Sequence, residues 1–116
     1  MNGSIILDYG ELSNYQKNKG IIFEPKKDSY IISPMNGTVE YAKKLKNYGN
    51  LVIIVNNEGY HSILSGMDEI ITIEGNKVFA GEPIGKNIKS NIVGRIYFEL
   101  RYKGKIIDPK REVEIL

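Results

Sequence analysis

An all-β domain is the expectation for this chain of 116 residues, and three observations carry it. Short β-branched or aromatic runs recur along its length. Gly, Asn and Pro turn signals separate them, and no long amphipathic helix interrupts them. Strands this short, at this spacing, predict a sandwich or barrel, and twelve glycines suit the many tight turns such a fold needs.

The elements follow in order. Ile5-Ile6-Leu7, Gly20-Ile21-Ile22-Phe23 and Tyr30-Ile31-Ile32 read as strands, with Glu24-Pro25 as a break between the last two. Asn36-Gly37 leads into Gly37–Ala42, where Val39 and Tyr41 favour a strand over a helical turn. Leu51–Val55 and Tyr60–Leu64 follow, parted by Asn57-Glu58-Gly59, and then Ile70-Ile71-Thr72-Ile73, closed by Glu74-Gly75-Asn76. Val78–Gly85 reads as a strand ended by a Gly-Glu-Pro turn and then resumed. Together with Ser33–Val39 it gives the paired punctuation of barrel-sandwich hybrid folds. Arg95–Leu100 and Lys105-Ile106-Ile107 complete the set. Alternation is clearest near the end: Ile96, Phe98 and Leu100 fall on one face and must be core, while Arg95, Tyr97, Glu99 and Arg101 fall on the other.

Length predicts one domain over 1–116, with apolar content of 41% and charged content of 26% ordinary for a globular chain. A net charge of +2, with lysines clustered only at Lys26-Lys27 and Lys43-Lys44-Lys46, gives no field suited to nucleic acid. Those clusters read as solvated faces. No apolar run reaches the ~18 residues of a membrane helix, and Met1-Asn2-Gly3-Ser4 does not open a signal peptide. There is one histidine, His61, and no cysteine.

Several segments in a shared order resemble one known family. They are Lys19-Gly20-Ile21, Ser33–Val39, Tyr48–Ile54, Gly59–Met67, Val78–Gly85, Tyr97–Arg101 and Asp108-Pro109. Together they resemble the LytM domain of the M23 peptidases, a duplicated hybrid motif of β-sheets. The similarity is greatest to the inactive branch, the EnvC-type murein hydrolase activators. Active members carry His-x-Gly-x-Asp, a later histidine, and His-x-His before Phe-Glu. With Gly20 as the anchor, those positions fall at Asn18, Ile22, Gly66, Arg95 and Tyr97. Ile22 and Gly66 offer no ligand atom, Arg95 repels a cation, and Asn18 and Tyr97 are poor zinc ligands. The resemblance therefore implies a pseudoenzyme with no metal and no cofactor.

The same resemblance places Asn18, Ile22, Gly66, Arg95, Tyr97 and Glu99 around the vacated active site as a groove for a protein partner, a peptidoglycan amidase. For Glu99 the plainer expectation is a surface ladder with Arg95 and Arg101, worth ~0.2–1 kcal/mol per pair. His61 lies five positions before the Gly66 slot and, by counting, on the opposite face; a makeshift metal site would enlist Glu58, Asp68 and Glu69. The expected setting is the periplasm or cell envelope, with an upstream coiled coil or a membrane-anchored partner in a longer protein. The competing expectations are a structural module that docks on envelope proteins or on peptidoglycan itself, a peptidase with a displaced metal site, and a phosphocarrier of the related barrel type. The last normally needs two histidines.

Overall fold

The computed structural model describes residues 3–7, 12–13, 16–17, 20–25, 28–46, 49–88 and 96–108. Within them every regular element is a strand. In chain order these are β1 (Gly3–Leu7), β2 (Leu12–Ser13), β3 (Gln16–Lys17), β4 (Ile21–Pro25), β5 (Ser29–Ile32), β6 (Gly37–Leu45) and β7 (Gly49–Val55). There follow β8 (Tyr60–Met67), β9 (Glu69–Ile70), β10 (Lys77–Val78), β11 (Pro83–Asn87), β12 (Ile96–Tyr102) and β13 (Lys105–Ile107). An eight-stranded antiparallel sheet runs β1-β4-β12-β8-β7-β6-β10, with β13 also paired to β12. A three-stranded sheet runs β5-β11-β9, and β2 pairs with β3.

The all-β expectation holds, and most of the anticipated strands form. The run at 70–73 is the exception. Pairing ends at Ile70, and the next three residues stay outside the ladder. Thr72 turns inward there while Ile71 and Ile73 face solvent, so β-branched composition alone misread this segment. The two-residue strands β2 and β3 carried no periodic signal to read.

Registry shows how the core is built. Direct cross-strand partners share a sheet face. One row crosses the sheet through Ala42, Val52, Leu64, Phe98 and Ile21. The four largest of these are fully buried. The neighbouring core row runs Val39, Ile54, Ser62, Leu100 and Ile107. Ile31 on β5 and Ile84 on β11 join the same cluster, so the small sheet covers this face of the large one. Ile96, Phe98 and Leu100 are all core, as their alternation requires.

Turn chemistry fixes the hairpins. Asn56 caps the β7–β8 turn: its Oδ1 accepts from the N–H groups of Glu58 and Tyr60, at 3.0 Å each. Between β12 and β13 the two-residue loop Lys103-Gly104 has φ of 49° and 83°. Two left-handed residues in succession match the twist of the flanking strands.

Two substitutions test this packing. Ser62 is fully buried and its hydroxyl has no hydrogen-bond partner among the described residues. Removing an orphaned buried hydroxyl relieves a desolvation cost, so Ser62→Ala is expected to leave stability within about 1 kcal/mol of the parent, on the stabilising side. A Cβ at Gly37 would overlap the Val55 carbonyl oxygen and stand 2.8 Å from Ile54 Cγ2. Backbone cannot yield cheaply there, so Gly37→Ala is expected to cost about 1–3 kcal/mol. Urea midpoints at constant slope check both; a marked loss for Ser62→Ala would mean its hydroxyl has a partner.

Candidate functional site

The opposite face of the large sheet carries the candidate site. Three rows define it. The first is Lys43, Leu51, Ser65, Tyr97 and Ile22. The second is Tyr41, Ile53, Ile63 and Glu99. The third is Thr38, Val55, His61, Arg101 and Ile106. Most of these side chains are half-buried, giving a largely apolar floor that also carries one acid, Glu99, and three basic side chains, Lys43, His61 and Arg101.

A bulge in β8 makes this arrangement possible. Asn50 pairs with Met67 but Leu51 pairs with Ser65, which leaves Gly66 as the extra residue. Its φ of 100° is one that side-chain-bearing residues rarely adopt. The Asn50 side-chain amide ties the bulge down, donating to the carbonyls of Met67 and Asp68 at 2.9 Å each. An extra residue shifts the alternation, so Met67 enters the core while Ser65 stays on the open face beside Tyr97. This corrects the simple count for His61. It shares the open face with Tyr97, Glu99 and Arg101, paired opposite Arg101.

Glu99 also departs from the plainer of its two readings, the surface ladder. It is only 6% exposed. Tyr97 Oη donates to its Oε1 at 2.6 Å, and Arg101 Nε donates to its Oε2 at 2.5 Å. A carboxylate taken out of water needs such partners on both oxygens. The three residues follow one another at every second position of β12, so an extended backbone suffices to align them. The Arg101 side chain remains 44% exposed although its Nε is bonded to Glu99.

Among the positions singled out from sequence, Ile22 lies directly across from Tyr97, and Gly66 lies in the bulge next to Ser65, the other cross-strand partner of Tyr97. Glu99 is two residues further along the same face. Asn18 and Arg95 lie outside the described residues. Arg101 and His61 were passed over as site residues. The alternation that selects Tyr97 and Glu99 selects Arg101 equally, whereas nothing in the sequence places the bulge that His61 depends on.

Among the described residues, the positions where active members carry ligands do not suit zinc. Ile22 has no ligand atom, Gly66 has no side chain, and the Tyr97 hydroxyl is committed as a donor to Glu99. Among the described residues no group of three or more His, Cys, Asp or Glu side chains gathers where it could hold a metal. His61, Glu58, Asp68 and Glu69 therefore do not assemble the makeshift site.

Comparison with known proteins gives the family and the fold. The sequence model described as Peptidase family M23 matches residues 16–109. The murein hydrolase activator NlpD of Escherichia coli strain K12 is 36% identical over 111 residues, 94% of this chain and 29% of that protein. Outer membrane antigenic lipoprotein B of Haemophilus influenzae is 37% identical over 97 residues, 81% of this chain and 24% of that protein. The chain thus spans less than a third of the length of these curated relatives. Among solved structures, the complex of SpoIIIAH and SpoIIQ gives a TM-score of 0.80 at 24% identity, covering 95% of this chain and 92% of that one. The catalytic domain of the prophage-encoded M23 protein EnpA from Enterococcus faecalis, in a mutant form, gives 0.75 at 21%, covering 93% and 89%. Those two likenesses speak for the fold.

Burial, the hydrogen bond to Glu99 and that carboxylate's negative charge together push the Tyr97 hydroxyl well above the ordinary tyrosine range, with Arg101 opposing more weakly. In the unfolded chain this hydroxyl ionises near pH ~10. Above that pH the folded state holds a proton that the unfolded state has lost, so stability falls as pH rises. Tyr97→Phe removes this contribution. Urea unfolding of both proteins between pH 8 and pH 11 is expected to show a shallower alkaline decline for the variant; equal slopes would place the ionisation elsewhere.

Proposed function

The chain belongs to peptidase family M23, and from that footing we propose a non-catalytic regulatory domain that binds and activates a peptidoglycan amidase. The setting of this activity is cell-wall remodelling and division in the bacterial envelope. The observation that carries the reading is the open face itself. Where a hydrolase needs a cluster of ligands, this face offers an apolar floor of Ile22, Leu51, Ile53 and Ile63, with the Tyr97–Glu99–Arg101 chain beside it and a single histidine, His61, opposite Arg101. Such a surface suits a protein segment better than a scissile peptide bond. The name of the Escherichia coli relative, a murein hydrolase activator, supports the same reading.

Activation in this scheme is a population shift. The amidase exchanges between closed and open states, and the domain favours the open state by as much as it binds that state more tightly. Tyr97 supplies an amphipathic contact of the kind that anchors interfaces. Arg101, its Nε locked by Glu99, presents its remaining donors to an acidic side chain of the partner at reduced entropic cost. Arg95 and Asn18 complete the proposed groove with Ile22 and Gly66.

Dye release from labelled peptidoglycan tests the proposal, with the domain and the amidase assayed separately and together. Release well above the amidase alone is expected only when both are present. Tyr97→Ala, Arg95→Glu and Arg101→Glu are each expected to raise the half-activating concentration about tenfold or more. Tyr97→Ala and Arg101→Glu also strip a partner from Glu99 and lower stability, so both are compared at a temperature where their β-sheet circular dichroism matches the parent's. Full activation by all three folded variants would remove the groove from the mechanism. Release by the domain alone would overturn the non-catalytic assignment.

A further inference from the structure

The open face does not end at β6. Its third row continues through the pair Thr38–Lys77 onto β10, the last strand of the large sheet. Val78 then turns into the core and Phe79 turns out. Lys77 and Phe79 thereby stand with Thr38 and Val55 around one cleft of about 400 Å3, whose surface is mostly apolar. That volume is ample for a large side chain, since whole small-ligand sites start at ~300 Å3. Phe79 is 71% exposed, the highest exposure of any large apolar side chain among the described residues. The turn that carries it is nevertheless tied at several points. Ala80 N–H donates to Asn36 Oδ1 at 2.7 Å, and Gly81 N–H donates to the Ser33 carbonyl at 2.8 Å. Phe79 N–H donates to Glu82 Oε1 at 3.2 Å. Asn56, also in the lining, is held at both ends of its amide. Its Oδ1 caps the β7–β8 turn and its Nδ2 donates to Met35 Sδ at 3.7 Å.

We propose that this cleft is an anchor pocket of the partner-binding face, taking one large apolar side chain of the amidase segment that crosses β12, β8, β7 and β6. The inference rests on the amidase reading given above and adds to it a second point of contact. Continuity carries it. Thr38 and Val55 belong both to the third row and to the cleft, so a segment seated on the floor enters the pocket without leaving the sheet. Thr38 stands three strand spacings from Arg101, roughly 14 Å. A polypeptide segment spans that distance, with an acidic side chain for Arg101 and an apolar one against Phe79. Charge gives no competing ligand, because Glu58 and Lys77 contribute opposite signs and leave no net attraction for an ion. Walls fixed before binding lower the ordering cost, and a large aromatic desolvated at an interface is the kind of contact that dominates its energetics. The pocket therefore sets which segments bind: those with a large apolar residue at that distance from the acid.

The test titrates the domain against the same amidase in the dye-release assay and reads the half-activating concentration. Phe79→Ala is expected to raise it about tenfold, with activation recovered at saturating domain. Phe79→Leu, which keeps a large apolar side chain, is expected to recover most of that loss. Tyr30→Ala removes another exposed aromatic, from the small sheet, and is expected to leave the half-activating concentration unchanged. All three positions are exposed or conservatively replaced, so urea midpoints close to the parent's are expected throughout. Activation by the parent with Phe79→Ala unimpaired would overturn the pocket and leave the amidase reading standing. So would an equal loss in Tyr30→Ala, which would make the effect one of general surface apolarity. No activation by the parent would overturn the amidase reading itself, and the pocket with it.

Discussion

Strand β12 must satisfy two opposite environments at once, and the remainder of the structure is arranged around that demand. It is paired along both edges, to β8 on one side and to β4 and β13 on the other. Ile96, Phe98 and Leu100 are locked into the core by apolar burial. Their intervening neighbours Tyr97, Glu99 and Arg101 have no freedom to choose a face. Since the sheet shields Glu99 almost completely, its carboxylate depends on partners from its own strand. Tyr97 and Arg101 meet that need from the two positions that a period-two element makes available.

The same constraint explains the bulge. Without an extra residue, β8 could not place both Leu64 and Met67 in the core, because three positions separate them and strict alternation would send them to opposite faces. Gly66 absorbs the mismatch with a positive φ, and the Asn50 amide holds the two carbonyls beyond it. The outcome is local but it reaches the site. Ser65 stays beside Tyr97 as its cross-strand partner.

How far the sequence discloses this depends on which physical signal each feature leaves. Strands with clean alternation, above all the stretch around Phe98, were legible because burial on one face imposes a pattern that chemistry alone can read. The pairing of Ile22 with Tyr97 was accessible only through resemblance, since long-range register leaves no mark in a single sequence. Glu99 was half-legible. Its face followed from alternation, but its burial depends on what the surrounding strands cover, and composition does not report that. His61 was misplaced because a bulge is a change of one residue in register, and Gly66 looks in sequence like any other strand glycine. Ile71 and Ile73 mislead in the reverse sense, as β-branched residues that the ladder does not use.

The Tyr97–Glu99–Arg101 chain also bears on how a domain of this family stays ordered with a donor set that does not suit zinc. A metal ion fixes its ligands by satisfying their lone pairs with a concentrated positive charge. Here a guanidinium supplies positive charge to one carboxylate oxygen, and a phenol that remains protonated far above neutral pH supplies a neutral donor to the other. The two arrangements solve the same electrostatic problem with different consequences. A metal site leaves an open coordination position, which is a place for reaction. A carboxylate with both oxygens occupied leaves no such position, but it ties down the Nε of Arg101, whose side chain is still 44% exposed. On the reading proposed above, Tyr97 stands in β12 at a position where active members carry a ligand, and it serves instead to hold Glu99 within the recognition surface. In that role β12 needs only to remain paired and correctly alternated to present Tyr97 and Arg101.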